Sequence, residues 1–138
     1  MVPMLMVPIT TIQSPAAFER EMTFPGFNGR ALNGCVRKGS EHPFFAVWVA
    51  GSGPTDRNGS TPLIRDPRTG KPIPSHAYRD LAEWLAHRGI GSLRWDKRFI
   101  GSRDPALDVS LDAQLGDLKA ALAFARTLPE AHGKRLLL

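Results

Sequence analysis

The spacing of apolar positions changes several times along the chain, and each change marks an element. Two short runs, Glu19 to Phe24 and Ala31 to Arg37, flank the turn-forming stretch Pro25, Gly26, Phe27, Asn28, Gly29, which predicts an antiparallel hairpin. Phe44 to Ala50 then reads Phe, Phe, Ala, Val, Trp, Val, Ala without alternation, as expected of a central strand covered on both faces. From Tyr78 the period turns helical. Tyr78, Leu81, Ala82 and Leu85 recur three and four apart, Ser75 is placed to cap the start, and Gly89 supplies a left-handed stop. Ile90 to Trp95 returns to a strand pattern. A second helix is predicted from a Ser110 cap, with Asp112 in its first turn and Leu111, Leu115, Leu118, Leu122 and Ala125 as its buried stripe, until Pro129 ends it. Lys134 to Leu138 begins a further strand.

A hairpin followed by alternating strands and helices predicts the α/β class, with a mostly parallel sheet, an antiparallel N-terminal hairpin and flanking helices. Hydrophobic residues at 42% and charged residues at 22% agree with a folded domain rather than a disordered or fibrous chain. Residues 1–17 are expected to form a flexible N-terminal segment, and residues 18–138 a single domain or part of one. The apolar start is broken by Pro3 and Pro8 and has no basic flank, so neither a signal peptide nor a membrane span is expected. Cys35 stands alone, which excludes an intrachain disulfide and a thiol-rich metal site and makes a reducing, cytoplasmic setting the default.

A net charge of +5 with a pI near 10.0 raises the question of a polyanionic partner. The basic residues are scattered, however. Their densest group, Arg94, Lys97, Arg98 and Arg103, is interrupted by Trp95, Asp96, Phe99, Ile100 and Asp104, so no nucleic-acid partner is predicted. His42, His76, His87 and His132 lie on different elements without a carboxylate at telling spacing and read as surface or helix-end residues. Trp48, Trp84 and Trp95 read as core packing, and Cys35 as an inert buried thiol.

Residues 51–74 are too rich in glycine, proline and polar turn formers for a helix or a ladder, and form one long loop directly after a buried strand. Its opening, Gly51, Ser52, Gly53, Pro54, Thr55, Asp56, Arg57, Asn58, Gly59, suits a backbone that turns sharply and presents amide N–H groups to an anion. Adjacent Asp56 and Arg57 read as residues that pin the loop.

This stretch resembles the α/β-hydrolase superfamily, in particular its esterase and dienelactone-hydrolase-like branch, whose third strand commonly ends in H-G-S-G-P-x-D-R-D. Here Ala50 stands for the histidine and Asn58 for the last aspartate. A second stretch, Arg94, Trp95, Asp96, Lys97, Arg98, Phe99, Ile100, Gly101, is similar to the family's R-Y-D-x-R-G-x-G loop, with Phe99 in place of a glycine and Asp96 expected to pair an arginine. The resemblance covers about residues 19 to 138. It implies that Ser52 supplies a backbone oxyanion-hole donor, that Gly51 and Gly53 border the substrate, that the substrate is a small-molecule acyl ester, and that no cofactor or metal takes part.

The family's nucleophile sits in a G-x-S-x-G elbow at the end of the next strand, and none of the serines here has glycine two residues before it. The resemblance therefore implies the N-terminal portion of a serine hydrolase, truncated before the elbow and inactive alone. Two other readings stay open. A Rossmann-like dinucleotide module would use Gly51 and Gly53 for phosphates and Asp96 for a ribose, although the third glycine of G-x-G-x-x-G would fall on Asp56. A non-catalytic remnant of a hydrolase would retain only a binding role. Because Leu136, Leu137 and Leu138 read as the start of a buried strand with nothing after it, the isolated chain should be marginally stable or associate through its strand edge. Limited solubility on expression is the expected outcome, and a cooperative monomeric unfolding transition would contradict it.

Overall fold

The computed structural model describes residues 19–51 and 53–138; the predicted flexible segment 1–17 and Ser52 lie outside the described residues. Strands β1 (Glu19–Pro25) and β2 (Ala31–Arg37) form the hairpin, followed by β3 (Phe44–Val47), helix α1 (Ala77–His87), β4 (Gly91–Trp95), helix α2 (Leu111–Thr127) and β5 (Arg135–Leu137). The five strands make one sheet in the order β1-β2-β4-β3-β5. β1 pairs antiparallel with β2, and β2 with β4, while β3 runs parallel to both β4 and β5. The hairpin closes through Asn28 at φ 54° and Gly29 at φ 73°, successive left-handed positions that asparagine and glycine tolerate best.

Side-chain alternation divides the sheet into two faces. Phe24, Leu32, Val36, Phe45, Val47, Leu93 and Trp95 form one face of the core with Ala121 and Ala125 of α2. Phe24 stacks on Phe124 at 4.7 Å and meets Trp95 edge-on at 6.5 Å. Cys35, Arg37, Ala46, Ser92 and Arg94, at the alternate positions, are buried on the opposite face. Helix α1 lies against β4 and β2. None of the described helices is long and apolar enough to cross a membrane.

The order and type of the elements follow the sequence pattern, and four details depart from it. First, the strand predicted over Phe44 to Ala50 ends at Val47 and lies between β4 and β5; β4, buried at all five residues, occupies the middle of the sheet. The Trp48 N–H still donates to the Leu93 carbonyl at 2.9 Å, but Val49 is exposed. An unbroken apolar run cannot distinguish residues that enter a sheet from those that leave it to line a cavity.

Second, α1 begins at Ala77 with His76 at its N-cap position, and Ser75 sits one residue earlier, where its hydroxyl accepts from the Ala77 N–H at 3.3 Å. Only Ala82 of the helix is fully buried, and the predicted core residue Leu81 is exposed. Third, Leu136 packs on the core cluster, whereas Leu137 and Leu138 stay exposed.

The fourth departure concerns α2. Ser110 caps it as predicted, accepting from the Ala113 N–H at 3.2 Å. Of its predicted stripe, Ala125 is buried and Leu118 and Leu122 pack against the core cluster, whereas Leu111 and Leu115 are exposed; the fully buried positions are Ala113, Asp117, Ala121 and Ala125. Beside the hairpin turn the helix leaves no room for a side chain at Gly116. A Cβ at Gly116 would come within 2.4 Å of the Phe27 ring.

Asp117, 4% exposed, belongs in that stripe because it meets Arg98, also 4% exposed, through paired contacts of 2.7 Å and 2.9 Å. Arg98 further donates to the carbonyls of Phe27 and Asp108, each at 3.0 Å, and Asp117 accepts the Phe27 N–H at 2.9 Å. Removing one partner of such a buried pair costs about 3–5 kcal/mol. Asp117→Ala should therefore speed amide hydrogen exchange in α2 and in the turn between β1 and β2, whereas Leu111→Ala should leave exchange there as in the parent.

Candidate active site

The loops that follow β3 and β4 leave the sheet side by side, because these strands are parallel neighbours. Among the described residues from Trp48 to His76 the only bridge is an isolated one between Arg65 and Pro72, so the predicted long loop is a loop there. It is held from within and from below. The Asp56 carboxylate accepts the N–H groups of Asn58 at 2.8 Å and Ser60 at 2.9 Å, and the Asp56 N–H donates to the Ser60 carbonyl, closing a tight turn.

Arg57 follows. Its N–H donates to the Asp96 carboxylate at 2.8 Å, and its guanidinium reaches the Gly34 carbonyl at 3.0 Å and Glu21 at 2.6 Å. Arg94, 1% exposed, completes the attachment by donating to the Arg57 carbonyl at 3.0 Å, to Asn58 Oδ1 at 2.9 Å and to Glu19 at 2.9 Å. Asp56 and Arg57 thus pin the loop, and Asn58 serves as an acceptor for Arg94. Asp96 does contact an arginine, chiefly through the Arg57 backbone; its closest approach to that side chain is 3.9 Å.

Above these anchors, the Lys97 ammonium donates to the carbonyl oxygens of both Gly51 and Gly53, the latter at 3.1 Å. Burial lowers the Lys97 pKa from the ordinary lysine value. Gly53 needs its freedom, at φ 85°, whereas a Cβ at Gly51 would meet nothing within 4 Å. Gly51 is exposed and lines a cavity of about 430 Å³ between this loop and α2. The apolar part of its wall comes from Val49, Ala50, Trp95, Leu111, Leu115 and Leu118. The exposure of Leu111 and Leu115 is that of a cavity lining. Ser52, the predicted backbone donor, lies outside the described residues.

Neither the Lys97 contacts nor the Arg98–Asp117 pair was identifiable from spacing, since each joins residues distant in sequence. The sole hint was their place in the second resembling stretch. The histidines stay apart: His42 Nδ1 accepts the Phe44 N–H at 3.2 Å, His87 faces Glu83 at 4.0 Å, and His76 and His132 flank helical turns. Of the tryptophans assigned to the core, Trp95 is buried and Trp48 stacks on Tyr78 at 5.7 Å. Trp84 is half exposed, with the Arg88 guanidinium 3.5 Å from its ring centre. A helix surface can cover an aromatic ring with an arginine as readily as a core can.

Several solved structures are similar to this chain. A hypothetical protein from Pseudomonas aeruginosa aligns over 86% of the chain at 22% identity and a TM-score of 0.58. An α/β serine hydrolase without a lid from Xanthomonas campestris aligns over 86% at 18% identity and a TM-score of 0.53. A cold-adapted esterase from an Arctic intertidal metagenomic library gives 86%, 20% and 0.53. The chain has a partial α/β-hydrolase fold. It spans 33% of the first of these proteins and 48% of each of the other two. No family model matches the chain, and no curated protein matches it.

Within the α/β-hydrolase fold the dinucleotide reading loses its geometric basis. Among the described residues the glycine loop leads into no helix before Ala77, and the Asp96 carboxylate already accepts the Arg57 N–H. Cys35 lies beneath the pinned loop, and burial pushes its thiol up to about 12. Iodoacetamide at pH 8 should leave Cys35 unmodified in the folded protein and alkylate it fully in urea, with mass spectrometry as the measurement. Rapid modification of the folded form would contradict the burial.

Proposed function

We propose that this chain forms the oxyanion-loop portion of a cytoplasmic serine hydrolase acting on small carboxylic esters or related acyl compounds. The nucleophile elbow and the triad's acid and histidine would lie in sequence beyond residue 138. In this reading the Ser52 N–H, with the N–H after the nucleophile, holds the oxygen on which negative charge develops.

The observation that carries the proposal is the tie from Lys97 to the carbonyls of Gly51 and Gly53 in the loop after parallel strand β3, with Gly51 bordering an apolar-walled cavity. A donor must be fixed before the charge appears, because reorganising it during reaction would consume the gain. The cavity suits an acyl group beside that donor. None of the serines in this sequence stands in a G-x-S-x-G elbow, so in this reading the chain contributes binding and the nucleophile comes from the elbow beyond it. The buried thiol of the single cysteine supports a reducing compartment.

The reading frame downstream of Leu138 should encode a short apolar stretch followed by Gly, any residue, Ser, any residue, Gly, and the full-length product should hydrolyse p-nitrophenyl acetate. In that product Ser52→Pro, which deletes the N–H, should lower kcat on the order of 100-fold or more. Ser52→Ala, which retains it, should remain within about threefold of the parent. Equal losses in the two variants, or absence of esterase activity, would overturn the assignment.

A further inference from the structure

We infer that Lys97 is a positioning residue for the oxyanion loop, holding the carbonyl oxygens of Gly51 and Gly53 on either side of Ser52. The inference rests on the function proposed above. An ammonium carries three donors and no acceptor, so a single lysine can hold two carbonyl oxygens at once. Lys97 comes from the loop after β4, and its two acceptors come from the loop after β3, so the contact links neighbouring strand ends that no ladder joins at this level.

The two bonds have different consequences. In a trans peptide the C=O and N–H point in opposite directions, and a carbonyl fixed toward the ammonium turns the amide of the same peptide group away from it. For the Gly51 carbonyl, that amide belongs to Ser52. The Gly53 carbonyl is followed by Pro54, which has no N–H, so this second bond presents no donor and instead anchors the exit of the turn. The Thr55 N–H donates back to the same Gly53 oxygen at 2.9 Å. Among the described residues no carboxylate forms an ion pair with Lys97, and its half-buried cation is met by carbonyl dipoles and, at 5.7 Å, the Phe99 ring. The cation therefore serves loop geometry rather than a salt bridge.

Lys97→Met keeps the apolar stem and removes the donors; Lys97→Arg restores a cation able to hold two carbonyls. Hydrogen exchange of the peptide spanning Gly51 to Thr55, followed by mass spectrometry, should speed up about tenfold in Lys97→Met, with exchange of β4 unchanged and recovery in Lys97→Arg. In the full-length enzyme Lys97→Met should lower kcat for p-nitrophenyl acetate about tenfold to hundredfold with KM within about twofold of the parent, since misplacing a catalytic group has costs of that order. If the parent hydrolyses the ester and Lys97→Met keeps its kcat, the positioning role falls and the hydrolase reading stands. If the parent is inactive, the hydrolase reading falls, and the positioning role falls with it. Unchanged exchange in the loop, or a uniform increase across the whole protein, would also refute the role.

Discussion

The Arg98–Asp117 pair joins three segments that no hydrogen-bonded ladder connects: the loop after β4, the turn between β1 and β2, and helix α2. Its net contribution to stability is small compared with its contribution to registry, because an apolar replacement of similar volume often matches a buried ion pair in energy. What an apolar replacement could not do is accept the Phe27 N–H and donate to the Phe27 and Asp108 carbonyls at the same time. The pair thereby sets how close α2 lies to the hairpin turn, and that closeness dictates glycine and alanine along the contacting face.

Much of the fold was legible because period and punctuation are local properties. The Asn28, Gly29 turn, the Ser110 cap and the Gly89 stop each act within a few residues, and the structure places all of them as the sequence implied. Which face of α2 is buried is not local. Leucine at three- and four-residue intervals outlined a face whose later members, Leu118, Leu122 and Ala125, meet the core, but Leu111 and Leu115 turn outward and the adjoining positions Ala113, Asp117 and Ala121 are buried, Asp117 as the partner of Arg98. The same limit applies to Val49 and Ala50, whose apolar character suits a cavity wall as well as a strand. For the candidate site, the glycine turn and its Asp56 and Arg57 anchors were visible in the order of residues. The hold by Lys97 was not, since it spans more than forty residues of sequence.

The site is built from two kinds of attachment. Below the loop, Arg57 and Arg94 tie it to Glu19, Glu21, Gly34 and Asp96, a charged network on the β1, β2 and β4 side of the sheet. Above, Lys97 holds the glycine turn itself. The first fixes where the loop stands and the second how its backbone faces, and a chemistry that relies on backbone N–H groups requires both.

The division of labour along α2 also bears on how this protein can change. Its smallest side chains occupy the positions least able to accept replacement, whereas its leucines at 111 and 115 border open space. Variation introduced at those two leucines would reshape the chamber wall without disturbing the seat of the helix. Diversity in what the chamber accommodates can therefore accumulate on the very element that holds the scaffold together.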